Sequence, residues 1–196
     1  MTYIPEIHHR RSVRLKGYDY SQAGAYFVTV CAWQRECLFG EIRNGEMFLN
    51  KSGDMVMKYW EKIPAHFPHV ETDEFIVMPN HVHGIIVLSD VGAQLIAPFR
   101  KATTENQGVM NHAPTGNNGM NPDVMNHAPA VGKIVRAFKA GCTHMINAMR
   151  NRPGMPVWQR NYYEHIIRDE KELYAIREYI RCNPLKWDED EENPEI

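Results

Sequence analysis

Residues 81–88 read HVHGIIVL, an uncharged run with four β-branched side chains and short flanks. Such a run reads as a core strand, and a core strand obliges the rest of the chain to build a sheet around it. Residues 25–33, AYFVTVCAW, are β-branched and aromatic and read as a second buried strand. Two shorter runs, 38–43 and 46–49, flank Asn44-Gly45, a strong two-residue hairpin signal because both turn positions need positive φ. Residues 74–78 and 157–168 read as further strands. Elsewhere the period changes. Val56, Tyr59, Trp60 and Ile63 recur at three- and four-residue spacing, which predicts a helix over 51–63, capped by Asn50 or Ser52 and ended by Pro64. A second helix begins at Val131 and carries Ile134, Val135, Phe138, Met145, Ile146 and Met149. A third runs from Glu170 to Cys182, capped by Asp169 and stopped by Pro184. Strands outnumber crossover helices and do not alternate with them regularly. The expected fold is therefore α+β, an antiparallel sheet with helices packed on one face. The split β-α-β, ferredoxin-like arrangement is the natural candidate.

Between the strand at 81–88 and the helix at 131 the pattern breaks. Residues 103–130 are rich in Asn, Gly, Pro and Met, and Val-Met-Asn-His-Ala-Pro occurs twice, at 109–114 and 124–129. With few large apolar residues in any period, about 99–130 is expected to be a flexible insertion. The length of 196 residues suits one domain. The expected organisation is a single domain over 1–187 with a basic arm at 1–20, then an acidic tail at 188–196. There is no apolar run of about eighteen residues, so no membrane span is expected. The polar, basic N-terminus has no apolar centre of the kind a secretory signal needs, so the expected location is the cytoplasm. Four cysteines stand far apart with no C-x-x-C pair and are expected to be reduced thiols.

A net charge of −2 conceals an asymmetry. The last nine residues hold six acids and no base, so residues 1–187 carry 22 bases against 18 acids. Residues 131–187 alone carry 11 bases against 5 acids. A basic body with an acidic end hints at a polyanionic partner.

His81 and His83 are two apart on a predicted strand, so their side chains share a face and both imidazoles can reach one ion. The competing reading, two surface histidines on an edge strand, fits an arbitrary H-x-H better. The apolar run that follows and the Pro79-Asn80 loop that precedes place this pair at the mouth of a core strand. Two histidines hold a catalytic metal poorly, and a third ligand must come from elsewhere. Tyr179 and Asn183 are four apart and share a helical face, and the Asn183 side-chain oxygen can serve as a hard ligand for Mg²⁺ or Mn²⁺. Read by themselves, Asn183 is first a helix end before Pro184 and Tyr179 first a core residue; the chemical reading stays open beside that one.

Taken together, several motifs resemble one family. Pro79-Asn80-His81-Val82-His83 before an apolar strand resembles the His-hydrophobic-His (HUH) motif of single-tyrosine transposases of the insertion-sequence-200 type. Arg10-Arg11-Ser12-x-Arg14, Gly17-Tyr18-Asp19-Tyr20 and Ala25-Tyr26-Phe27-Val28-Thr29 resemble the REP-associated tyrosine transposases. So do the run from Trp158 to Arg168 and Tyr179-Ile180-Arg181-x-Asn183-Pro184. The resemblance spans nearly the whole chain apart from the insertion and the tail. It implies a ferredoxin-like domain of the HUH nuclease type, a metal pair in His81 and His83, a nucleophile in Tyr179 and a further polar ligand in Asn183. It also implies a divalent metal, Mg²⁺ or Mn²⁺, and single-stranded or hairpin DNA as partner.

The expected activity is then a metal-dependent nickase and ligase that cuts single-stranded DNA through a 5′-phosphotyrosine link. Tyr162 and Tyr163 are rival nucleophiles, but they precede the final helix and lack a polar partner one turn away. Phosphates are expected to meet Arg10, Arg11 and Arg14 of the arm and Lys133, Arg136 and Lys139 of the second helix. A monomer with its site completed in cis is expected, a homodimer being the alternative, and a DNA enzyme of this kind would be nucleoid-associated. Two further readings stand beside it: a hairpin-binding protein with little or no turnover, and an unrelated metallohydrolase using the same histidines.

Overall fold

A computed structural model describes Asp19, residues 21–89 and residues 130–194. The basic arm with Arg10, Arg11 and Arg14, and the repeat-bearing insertion up to Pro129, lie outside the described residues.

The run HVHGIIVL forms a strand over its full length, β5 (His81–Leu88). It pairs on one side with β1 (Gly24–Cys31) and on the other with β4 (Val70–Val77), and β1 pairs in turn with β6 (Tyr163–Ile167). All three pairings are antiparallel and the strand order is β4-β5-β1-β6. The hairpin β2 (Gly40–Arg43) and β3 (Glu46–Leu49) stands apart as a two-stranded sheet, and Asn44 (φ 52°) and Gly45 (φ 75°) take the turn as expected. Helix α1 (Lys51–Glu61) and helix α3 (Val131–Met149) connect the strands, and helix α4 (Glu170–Cys182) follows the last one. With the hairpin set aside, the order β1-α1-β4-β5-α3-β6 on this sheet is the split β-α-β, ferredoxin-like arrangement.

The cap of α1 is Asn50, whose side chain accepts from the amides of Ser52 and Gly53. Three expected boundaries are corrected. Pro64 does not end α1: the helix stops at Glu61, and Pro64 sits in the first turn of the short helix α2 (Ile63–His66), where no amide hydrogen is needed. The strand expected at 74–78 starts at Val70, because a register irregularity between Thr72 and Phe75 lets a polar stretch pair at the sheet edge. The strand expected over 157–168 is a bridge from Trp158 to Ala32 followed by the short β6. Between them the Lys139 ammonium takes the carbonyls of Gln159 (2.6 Å), Arg160 (3.1 Å) and Asn161 (3.4 Å), which leaves none of the three for a ladder.

Period-two alternation sends the strands' side chains two ways. Tyr26, Val28, Val30, Val82 and Ile86 pack with α1 and α3 through Val56, Trp60, Ile134, Phe138 and Ile146. Ala25, Phe27 and Ile85 face the other way and pack with Leu173 and Ile180 of α4. None of the four cysteines is joined in a disulfide. Among the described residues no helix is long and apolar enough to cross a membrane.

Gly84 marks a tight point of the larger core. A Cβ there would stand 2.4 Å from Trp60 Cζ2 and 2.9 Å from Phe75 Cδ2, two rings stacked 4.3 Å apart. Gly84→Ala is therefore expected to lower the unfolding free energy by about 1–3 kcal/mol through overpacking. A urea melt with an unchanged midpoint would show that Trp60 yields instead.

Candidate metal and nucleophile site

The alternation that buries Val82 and Ile86 under α3 turns His81 and His83 toward α4. Both are almost fully buried, at 0% and 3% exposure. Their Nε2 atoms stand 3.0 Å apart. Two ligands about 2.1 Å from one ion and at right angles to it are also separated by about 3 Å, so the spacing of the pair suits a shared ion. Each ring is anchored by its outer nitrogen: His81 Nδ1 lies 2.9 Å from Asn80 Oδ1, and His83 Nδ1 lies 2.9 Å from Thr29 Oγ1. Outer-nitrogen anchors of this kind orient metal-binding imidazoles.

Asp190 is the third candidate donor. Its Oδ2 lies 3.8 Å from His81 Nε2, and the ligand atoms of His81, His83 and Asp190 all fall within 4.8 Å of one another. Two imidazoles and a carboxylate suit a divalent metal of the Mn²⁺ or Zn²⁺ kind. Sequence reasoning missed Asp190 because it sits in a run of acids, where no single carboxylate stands out. The run does not trail into solvent at this point. Arg35 pairs with Glu192 (3.1 Å) and donates to the Glu191 carbonyl (2.8 Å), and the Trp187 ring lies 6.1 Å from that of His81.

Tyr179 arrives from α4 on the same side. Its hydroxyl lies 3.3 Å from His83 Nε2, and its ring meets His83 and Phe27 edge-on, with centroids 5.2 and 6.0 Å away. The helix that brings it is well held. Asp169 caps its start by accepting from the Glu172 amide, Arg177 forms a two-pronged pair with Asp73, and Arg181 reaches Glu74 at 2.7 Å. Burial, then the neighbouring charge of Asp190 and that of Glu191, hold the phenol above its ordinary range, while the Asn183 amide beside it pulls the other way. Asn183 is buried just beyond the last turn of α4, and its Oδ1 has no hydrogen-bond partner among the described residues.

The site opens into a cleft of about 460 Å³ lined by Phe27, His83, Tyr163, Tyr179 and the acids from Glu189 to Glu192. Tyr163 thus shares the cleft with Tyr179, whereas Tyr162 donates to Glu164 and packs with the α3 core. The cations expected on α3 are elsewhere. Lys133 and Arg136 are exposed, and Arg136, Lys139 and Arg160 line a separate groove of about 370 Å³ beside β6. Lys139 is already engaged by three carbonyls, and desolvation lowers its pKa.

The comparisons with known proteins agree with this antiparallel α+β fold. No family model matches the chain. The solved structure of a REP-associated tyrosine transposase bound to a REP hairpin aligns with a TM-score of 0.50 at 21% identity, covering 84% of this chain and 68% of that one. A Haemophilus influenzae protein provisionally named a REP-associated tyrosine transposase is 20% identical over 168 residues, 86% of this chain and 74% of that one. The chain therefore resembles the REP-associated tyrosine transposases in fold as well as in motifs. It belongs to one family with an uncharacterized protein of Haemophilus influenzae that is 45% identical over 192 residues, 96% of each.

A folded-state site stabilises the protein by mass action when its ion is added. Mn²⁺ at about one hundred times its dissociation constant should add about 2.7 kcal/mol to the unfolding free energy. His83→Ala should abolish that gain. An equal Mn²⁺-induced rise in melting temperature in both proteins would place the ion elsewhere.

Proposed function

We propose that the protein is a single-stranded DNA endonuclease and strand transferase that recognises hairpin DNA and cuts it through a 5′-phosphotyrosine link to Tyr179. The observation that carries this reading is the Tyr179 hydroxyl 3.3 Å from His83 Nε2, within one chain. His81 and His83, with Asp190 or Asn183 as the further ligand, would hold Mg²⁺ or Mn²⁺. When bound, such an ion polarises the scissile phosphate and offsets the charge that grows during in-line displacement. Tyr179 attacks phosphorus: the phenolic O–P bond forms, the P–O3′ bond breaks, the phenol gives up its proton and the departing 3′ oxygen takes one up. The energy of the broken bond is kept in the ester, so a second 3′-OH can reseal the strand by the reverse exchange. Water takes no part.

A hairpin as partner is supported by the fold shared with a transposase solved on one. Lys133 and Arg136, with Arg160 beside them, would meet phosphates, and Arg10, Arg11 and Arg14 of the arm would add to them. Lys139 shapes that groove through its three carbonyls. The Arg177–Asp73 pair keeps the tyrosine helix on its own sheet, which supports a monomer with its site completed in cis. One observation favours a second reading, a hairpin-binding protein with little turnover. Asp190 and Glu191 line the cleft, oppose ionisation of Tyr179 and would repel a phosphate there.

The test is a labelled hairpin oligonucleotide incubated with the protein and Mn²⁺ and run on a denaturing gel. A slow-migrating protein–DNA adduct is expected, absent with Tyr179→Phe although that variant still shifts the hairpin on a native gel. A shift without an adduct would leave the binding-protein reading. Hydrolysed product that persists in Tyr179→Phe would point to a metallohydrolase.

A further inference from the structure

We infer that Asn80 presets His81 as a metal ligand by fixing its tautomer, whereas Thr29 leaves His83 free to change tautomer, so the two imidazoles have unequal duties. The inference deepens the metal half of the reading above and rests on it.

Asn80 is fully buried in the turn before β5. Its side-chain nitrogen donates to two backbone carbonyls, those of Arg35 (3.1 Å) and Glu192 (2.5 Å). Carbonyls only accept, so the amide cannot be turned over: the nitrogen must face them and Oδ1 must face His81 Nδ1, 2.9 Å away. A carboxamide oxygen also only accepts. His81 Nδ1 must therefore carry the hydrogen, and in a neutral ring Nε2 is left with its lone pair, aimed at the space between His83 and Asp190. That is the tautomer a metal needs at Nε2, and it is in place before any ion arrives.

Thr29 behaves differently. A hydroxyl can give or take a hydrogen bond, so its contact with His83 Nδ1 at 2.9 Å suits either tautomer. Two bare nitrogens 3.0 Å apart would repel each other, so without an ion His83 holds its hydrogen on Nε2 and donates to His81 Nε2. Its Nδ1 then takes the Thr29 hydroxyl hydrogen. When an ion is bound, the His83 hydrogen has to leave Nε2 for Nδ1, and Thr29 turns from donor to acceptor. One N–H is lost and one is gained on the same ring, so no net proton is released. The two nitrogens already stand at the spacing of neighbouring ligands, so the exchange needs a hydroxyl rotation and no separation of the rings. Asn80 and Thr29 are thus positioning residues, one fixed and one adaptable. The fixed one is held partly by the main chain of Glu192, which makes the C-terminal segment part of how His81 is aimed.

Imidazole ¹⁵N spectra of the full chain, recorded above the ordinary imidazole titration range, read both tautomers directly. Without metal, His81 should be the Nδ1–H form and His83 the Nε2–H form; after saturation with diamagnetic Zn²⁺ both should be Nδ1–H. A His81 carrying its hydrogen on Nε2, or a His83 whose tautomer is unchanged at saturation, would overturn the inference. In calorimetry with Mn²⁺, Asn80→Ala should weaken binding about 10- to 100-fold, the usual cost of losing an outer-shell partner. An Ala variant that binds as tightly as the parent would also overturn it. Should Asn80→Ala fail to fold, the spectra of the parent chain decide alone. A parent that binds neither ion would sink the inference together with the metal half of the proposed function. Neither readout involves DNA or Tyr179, so a missing protein–DNA adduct leaves these assignments standing, and wrong tautomers leave strand cleavage by Tyr179 to its own test.

Discussion

The register of β1 against β5 is what the rest of the molecule depends on. It sets Cys31 opposite His81, Thr29 opposite His83 and Phe27 opposite Ile85. Side chains alternate along a strand, so a slip by one residue would swing both imidazoles into the core around Trp60 and Phe138 and turn Val82 toward α4. The slip is prevented from both sides, because β5 is also paired with β4, where Val77 meets Val82 and Ile76 meets His83. The two rings therefore inherit the stiffness of a central strand. The phenol has a different kind of support. It stands on a helix added after the sheet is complete and is held by its Leu173 and Ile180 contacts and by ion pairs to Asp73 and Glu74. One half of the site is as rigid as the fold, and the other is as rigid as a docked helix.

Charge gives the site its sense. The imidazoles are buried and Asn183 offers an oxygen with no donor, while Asp190 and Glu191 lie close enough to oppose a phenolate. Each feature is unfavourable in a site without a cation and favourable in one that has it. The close-set imidazole nitrogens and the nearby carboxylates are both relieved by a divalent charge. The same acids make the cleft inhospitable to a polyanion until that charge is supplied.

Much of this was legible in the sequence, for physical reasons. The strand at 81–88 and the helix at 170–182 fall where composition and capping put them, because a continuous β-branched run and an Asp cap before an amphipathic stretch leave few alternatives. The hairpin followed from Asn44-Gly45 alone. The spacing of the two histidines fixes their shared face on the strand, whereas Tyr179 stands out only through the resemblance to the tyrosine transposases. What could not be read was whatever depends on a single long-range contact. Lys139 looks like a free cation in sequence, yet it is spent on the segment before β6, and that capture is also why the expected long strand there is short. Asp190 gave no signal among its acidic neighbours, and Asn80 looked like loop punctuation. Both owe their roles to main-chain carbonyls and rings more than a hundred residues away in sequence.

The irregular pairing of β4 has a consequence for how molecules of this protein meet. In a four-stranded sheet ordered β4-β5-β1-β6, the outer strands are the places where another chain could be added. On β4 the ladder is broken between Thr72 and Phe75, and the stretch carries Glu71, Asp73 and Glu74. On the far side β6 is five residues long, and the stretch leading into it has surrendered its carbonyls to an ammonium group. An approaching strand would find broken rungs on one flank and too few on the other. Growth of this four-stranded sheet from copy to copy is discouraged at both of its borders.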